Sequence, residues 1–256
     1  MLRGMEREST KAPVRLASRL WGRLSAELFP PTCLFCDAVQ TQNGCCPACL
    51  AAIRILDRHR CLGCGRPLAE ALVPGPCGRC LQSPPLQCET HSLYSYRGPV
   101  RRALLDWKLA GRDAGVRWLT AAAGSRLREL IAPNDLLLPI PMPLSRMRKR
   151  GLHHAADLAS LLAAATGASR EWQLLRREGE QPRQSQLSAG ERLRNLRHAF
   201  ALAPEAKQVL SAFDGRIWLV DDIITTGATM KHAAKPLVRA GFAVRALSLA
   251  RTSFSP

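Results

Sequence analysis

At 256 residues the chain is long enough to bury a full core and to hold one main domain with a smaller one beside it. Its 37 Lys and Arg against 20 Asp and Glu give a net charge of +17, which points to an anionic partner such as a nucleotide, a nucleic acid or an acidic membrane surface. No stretch of about 18 apolar residues is free of charge, and the N-terminus lacks a signal peptide's uninterrupted apolar region, so a cytoplasmic protein without a transmembrane helix is expected.

Residues 1–30 read as a basic amphipathic segment. Lys11, Arg15, Arg19 and Arg23 occupy one i+4 row, and Leu16, Leu20, Leu24 and Leu28 the next. A helix packed on its own domain fits this pattern, as does peripheral contact with an anionic membrane or with DNA.

All ten cysteines fall between residues 33 and 88, which sets a boundary near residue 90 between a domain at 31–90 and one at 91–256. Cys33 and Cys36 with Cys46 and Cys49 make one C-x₂-C pair of pairs, and Cys61 and Cys64 with Cys77 and Cys80 make another. Each C-x₂-C brings two sulfurs to one tetrahedral ion, so two closed, structural zinc sites are expected. A disulfide framework needs an oxidising compartment, for which there is no secretory signal. Local pairing closes the shortest loops, and interleaved pairing stays open. Cys45 could exchange with Cys46 as a ligand; Cys88 is left as a packed or free thiol. Two Cys₄ zinc sites, each of charge −2, bring +17 to about +13.

Beyond residue 90, strands alternate with helices, as a mostly parallel α/β sheet requires. A strand at Leu93–Tyr96 is followed by helices at Val100–Ala110 and Ala114–Ile131. Next come a strand at Leu136–Ile140, a helix near Ala155–Ala165, a weaker strand at Glu171–Leu175 and a short basic helix at Ser188–Arg197. Tyr94, Tyr96, Trp107 and Trp118 are interleaved with Arg97, Arg101, Arg102, Lys108, Arg112 and Arg117, as a single-strand binding surface needs; core packing explains such aromatics as well. The strand at Leu136–Ile140 runs into a Pro-rich turn and then Arg146, Arg148, Lys149 and Arg150, placed for a pyrophosphate or polynucleotide contact. Arg176–Arg192, rich in Gln, Arg and Ser, reads as a hood over a ligand or as an exposed loop.

The most informative stretch is Ile217-Trp-Leu-Val-Asp221-Asp222-Ile-Ile-Thr225-Thr226-Gly227-Ala228-Thr229. Four apolar residues form a strand buried on both faces. Two acids follow, expected at its carboxyl end, where open α/β sheets bind ligands. The small residues Thr225, Thr226, Gly227, Ala228 and Thr229 offer successive N–H groups and hydroxyls to a phosphate, and a helix is expected to start near Thr229 and add its positive end. That helix runs to Ala240 with a kink expected at Pro236, and a last strand covers Ala243–Leu249. No P-loop or G-x-G-x-x-G pattern is present.

An apolar strand, two acids and Thr-Thr-Gly-x-Thr resemble the signature of the type I phosphoribosyltransferases. With the cysteines, Tyr96-Arg-Gly-Pro, Lys108 in Trp-Lys-Leu-Ala-Gly-Arg112, the Pro-x-Pro turn with Arg150-Gly151, and Gln184, Leu187, Arg192, Asn195 and Phe200, residues 30–251 resemble the ComF/GntX family. These are phosphoribosyltransferase-like proteins with an N-terminal double zinc ribbon, linked to uptake of transforming DNA. The resemblance implies a mostly parallel sheet with helices on both faces behind a small double zinc-ribbon domain. It also implies a site for phosphoribosyl pyrophosphate with Mg²⁺. There Asp221 and Asp222 would hold the ribose hydroxyls and residues 225–229 the 5′-phosphate, with Arg146 and Arg150 nearby. Single-stranded DNA and proteins of the DNA-uptake machinery are the further partners it implies. An active transferase on an unknown nucleobase or other small acceptor is the alternative. One departure stands out: where the family commonly reads Arg-Gly-Phe-Asn-Gln-Ala, this chain has Arg150-Gly-Leu-His153-His154-Ala. The histidines could replace the amides, respond to pH, or cap the helix.

Overall fold

The computed structural model describes residues 32–38, 44–56, 59–69, 75–143, 147–148, 151–177 and 199–252. The segment at 1–30, Arg146, Arg150, most of the hood segment and the helix expected at Ser188–Arg197 lie outside the described residues. The chain divides into two compact units, Met1–Leu50 and Ala51–Pro256.

In the first unit Cys33 and Cys36 sit on a turn in which the N–H of Asp37 donates to Cys33 O at 3.1 Å. Asp37 takes the left-handed conformation there, at φ 58°. Cys46 precedes the short helix α1, Pro47–Ala52.

The second unit begins with the second set of knuckles, which leads into α2, Gly78–Gln82, and then into a five-stranded sheet. The elements are β1 (Glu89–Ser95), α3 (Gly98–Ala110), α4 (Ala114–Ala122), α5 (Gly124–Leu130), β2 (Leu136–Pro139), α6 (His154–Thr166) and β3 (Ser169–Arg170). A separate antiparallel pair follows, β4 (Leu175–Arg177) with β5 (Phe200–Leu202), then α7 (Ala206–Ser211), β6 (Ile217–Ile224), α8 (Ala228–Arg239) and β7 (Val244–Arg251). The sheet order is β1-β7-β6-β2-β3, and every pairing in it is parallel.

Helices cover both faces. Leu136, Leu138, Ile217 and Leu219 join Met230, Ala233 and Leu237 of α8 in one core. Their neighbours Leu137 and Val220, fully buried, face the other way, where α6 packs on β2 and β6. Pro99 opens α3, and Gly111, at φ 68°, closes it.

Three expectations change in detail. The helix expected over Ala114–Ile131 is two, because Ala123 leaves helical geometry and the next residue, Gly124, is a weak helix former. The strand expected at Glu171–Leu175 gives way to β3 before it and to β4, which begins at its last residue, since Glu171–Gln173 are exposed and carry no apolar alternation. β6 does not stop at the acids but runs to Ile224, because β7 still pairs with it through Arg251. No described helix is long and apolar enough to cross a membrane.

Candidate functional site

The acids lie where one neighbour of β6 ends. β2 pairs with β6 only as far as Pro139 opposite Val220. Asp221 and Asp222 are therefore inside a strand on the β7 side and at the carboxyl end of the sheet on the β2 side. Side chains alternate along a strand, so the two carboxylates leave on opposite faces. Asp222, 9% exposed, faces α3, where Lys108 Nζ meets its Oδ2 at 2.7 Å. Asp221 Oδ1 accepts a hydrogen bond from the N–H of Asp222 at 2.9 Å. Burial, and then the charge of Asp222, push the Asp221 carboxyl up to about 8.

The loop behind them is open. Thr225 and Thr226 are exposed, and Thr226 Oγ1 accepts from the N–H of Ala228 at 3.3 Å. Gly227 stands in front of α8 at φ 81°, with nothing within 4 Å of where a Cβ would be. A side chain there would be strained by the left-handed backbone although space is open around it.

The two histidines divide the expectations made for them. His153 caps α6: its Nδ1 accepts from the N–H of Ala156 at 3.1 Å. Burial lowers its proton affinity, which keeps the ring neutral and able to accept. The N–H of Met142 lies 3.4 Å from Nε2; a neutral ring accepts at one nitrogen only, and the shorter bond is the cap. His154 is 3% exposed and stands edge-on to Trp107, ring centroids 4.7 Å apart.

Trp107, 2% exposed, and Tyr94, 3% exposed, are core residues and form no stacking platform. Tyr94 donates from its hydroxyl to Leu119 O at 2.8 Å. Among the described large apolar side chains, the exposed aromatic is Trp172, between β3 and β4. The pairing of Lys108 with Asp222 is absent from the sequence reading. Its signal is a cation that continues the buried Val100–Leu104 row of α3 at i+4.

The cysteines form two groups. The sulfurs of Cys33, Cys36, Cys46 and Cys49 lie within 4.8 Å of one another, as do those of Cys61, Cys64, Cys77 and Cys80. Four thiolates about 2.3 Å from a tetrahedral zinc stand roughly 3.8 Å apart; Cys36 and Cys46 are 3.7 Å apart, and Cys64 and Cys77 3.8 Å. None of the ten is disulfide-bonded. The N–H of Cys46 donates to Cys33 Sγ at 3.4 Å and that of Cys77 to Cys61 Sγ at 3.2 Å. Burial raises both thiols, and these and neighbouring N–H groups outweigh it, holding Cys33 at about 6 and Cys61 at about 7. Cys49 and Cys80 are pushed up by burial and by the other sulfurs, so ionising all four needs a cation in their midst. Both groups fit structural zinc, with no open position. Cys46 rather than Cys45 belongs to the first group; Cys45 is held up at about 11 by burial and nearby thiols.

A parallel α/β sheet with an acidic pair leading into a Thr-Thr-Gly loop, in a chain with two Cys₄ groups, defines an α/β protein with a double zinc ribbon. The double zinc ribbon domain family matches residues 24–81. The chain is 31% identical over 220 residues to the DNA utilization protein YhgH of Salmonella typhimurium, across 82% of this chain and 91% of that protein. Competence protein F of Haemophilus influenzae is 27% identical, across 78% and 86%, and competence protein ComFC of Bacillus subtilis 26%, across 82% and 89%. The chain belongs to this ComF/GntX family. Among solved structures, the allosteric regulatory enzyme of purine biosynthesis is similar at a TM-score of 0.35 and 19% identity, over 57% of this chain and 29% of that one.

Proposed function

We propose that the chain binds phosphoribosyl pyrophosphate with Mg²⁺ at the acidic pair and its loop, and serves in the handling of single-stranded DNA, as the names of its relatives suggest. The observation that carries the reading is the acidic pair where β2 stops pairing with β6, followed by the open turn at Gly227, where nothing lies within 4 Å of a Cβ position. Asp221 and Asp222 would hold the ribose hydroxyls. Thr225, Thr226 and the N–H groups of residues 227–229 would hold the 5′-phosphate, with the dipole of α8 behind them. Mg²⁺ bound with the ligand would supply charge neutralisation at the phosphate oxygens, beside Asp221 and Asp222. Ten unpaired cysteines favour a reducing, cytoplasmic setting.

Asp221→Asn/Asp222→Asn is expected to weaken binding of Mg²⁺–phosphoribosyl pyrophosphate at least about tenfold in calorimetry; unchanged affinity sinks the proposal. If natural transformation survives while that binding is lost, the sugar-phosphate site is not what the DNA role requires. Asp221, held near 8, also suits group transfer, since such a carboxyl exchanges a proton at neutral pH. Pyrophosphate release on adding a nucleobase would reveal turnover.

A further inference from the structure

A cavity of about 700 Å³ lies between the second set of knuckles and α8, within the second unit. It has the size of a small-molecule site. One wall is the ribbon, with Arg79, Pro85 and Leu86; the other is α8, with Met230, Lys231 and Lys235. Thr226, Gly227 and Ala228 form its edge, whereas Asp221 and Asp222 do not line it.

The charge of this cavity is one-sided. Arg66, Arg79, Lys231, Lys235 and Arg251 line it, and among the described residues no Asp or Glu does. Cys64 and Cys80 also reach it, so the −2 charge of a loaded Cys₄ site must be set against the cations. Arg251, 2% exposed, faces that charge: burial, with Arg66, lowers its proton affinity, and the sulfurs of Cys64, Cys61 and Cys80 work against that shift. Lys231 and Lys235 are like charges at i,i+4, which weakens a helix, and no described carboxylate pairs with either of them or with Arg79. Lys231 and Arg79 are exposed, so water carries their repulsion at a cost of about 0.5 kcal/mol or less, and the excess of cations makes the cavity attractive to an anion. The apolar wall of Pro85, Leu86 and Met230 asks for more than an inorganic anion.

We propose that this cavity binds a nucleoside 5′-phosphate, the phosphate between Arg79, Lys231 and Lys235 and the nucleoside against Pro85, Leu86 and Met230. The nucleotide is either free or one unit of a single strand. Thr226, Gly227 and Ala228 border this cavity and also belong to the loop of the proposed phosphoribosyl pyrophosphate site, so the two ligands would be neighbours.

The test is titration of the zinc-loaded full chain with dAMP and, separately, with a twenty-residue oligo(dT), before and after Lys231→Ala/Lys235→Ala. Zinc content and thermal melting check that the variant folds. Binding of dAMP should weaken at least about tenfold in the variant, while Mg²⁺–phosphoribosyl pyrophosphate binding stays within about twofold. Loss confined to the oligonucleotide identifies a single strand as the source. The proposal is overturned if neither probe binds, or if both bind the variant as they bind the parent chain. Asp221→Asn/Asp222→Asn should leave dAMP binding intact, so failure of one site is seen apart from failure of the other.

Discussion

The Cys₄ sites and the Asp221–Asp222 pair are both crowded anions, and they are balanced in different ways. At the second knuckle set, backbone N–H groups already hold Cys61 down at about 7, the other sulfurs need a metal, and Arg251 stands outside. With zinc in place every sulfur has its metal, and the remaining charge of −2 faces Arg251. At the carboxylates, Lys108 meets Asp222, and Asp221 is driven towards its protonated form. One described cation serves two acids. The first kind of cluster is closed and builds structure; the second has one acid without a cation, which the Mg²⁺ of the proposed ligand would supply.

Removing the compensating charge should therefore have opposite effects in size. Cys61→Ala/Cys64→Ala, or chelation of the parent chain, is expected to cost on the order of 3–5 kcal/mol or more, because metal binding and folding are one event at such sites. Metal analysis should fall from two zinc ions to one in the variant. A variant that melts like the parent breaks the comparison. Lys108→Ala comes next. It leaves Asp222, mostly buried, without its cation, and the partial exposure of both side chains, 25% and 12%, limits the expected loss to about 1–3 kcal/mol. Adding Asp222→Asn should recover most of it, a coupling that a double-mutant cycle measures.

The site was more legible in the sequence than its wiring. The acids, Thr225–Thr229 and four C-x₂-C knuckles are short-range patterns whose chemistry is set by neighbours in the chain, and their grouping into two local Cys₄ sets follows the loop lengths. Lys108 and Asp222 are far apart in sequence, and only the packing of α3 against β6 joins them. The extent of β6 is hidden for a related reason: two carboxylates argue for a strand end, but β7 supplies backbone partners past them, and local polarity does not reveal which neighbour continues. Tyr94 and Trp107 were ambiguous by spacing alone, and burial decides for core. The antiparallel β4–β5 pair escaped notice because its short strands, with basic Arg176 and Arg177, carry too few alternating residues to register.

A smaller effect separates the two acids by pH. Asp221 sits at about 8 in the folded chain and near 3.9 when unfolded. The native state therefore holds a proton that the unfolded state has released, and Asp221 lowers stability progressively as the pH rises from about 4 to 8. Asp221→Asn removes that dependence. Its melting temperature should exceed the parent's by a margin that is smallest near pH 5 and largest near pH 8. A margin that narrows with pH would mean that Asp221 is ionised and compensated, as the thiolates are.

The least change is expected at His153, where the chain departs from the Asn-Gln of its family. The ring acts there as a hydrogen-bond acceptor for the N–H of Ala156, a task the shorter amide oxygen of Asn performs at least as well. His153→Asn should then melt within about 0.5 kcal/mol of the parent, while His153→Ala, which leaves that N–H unanswered, should cost about 1 kcal/mol. Equal losses in both would show that the ring is kept for its packing near Asp222 instead of its cap, and the charge deficit at the carboxylates would then include a histidine.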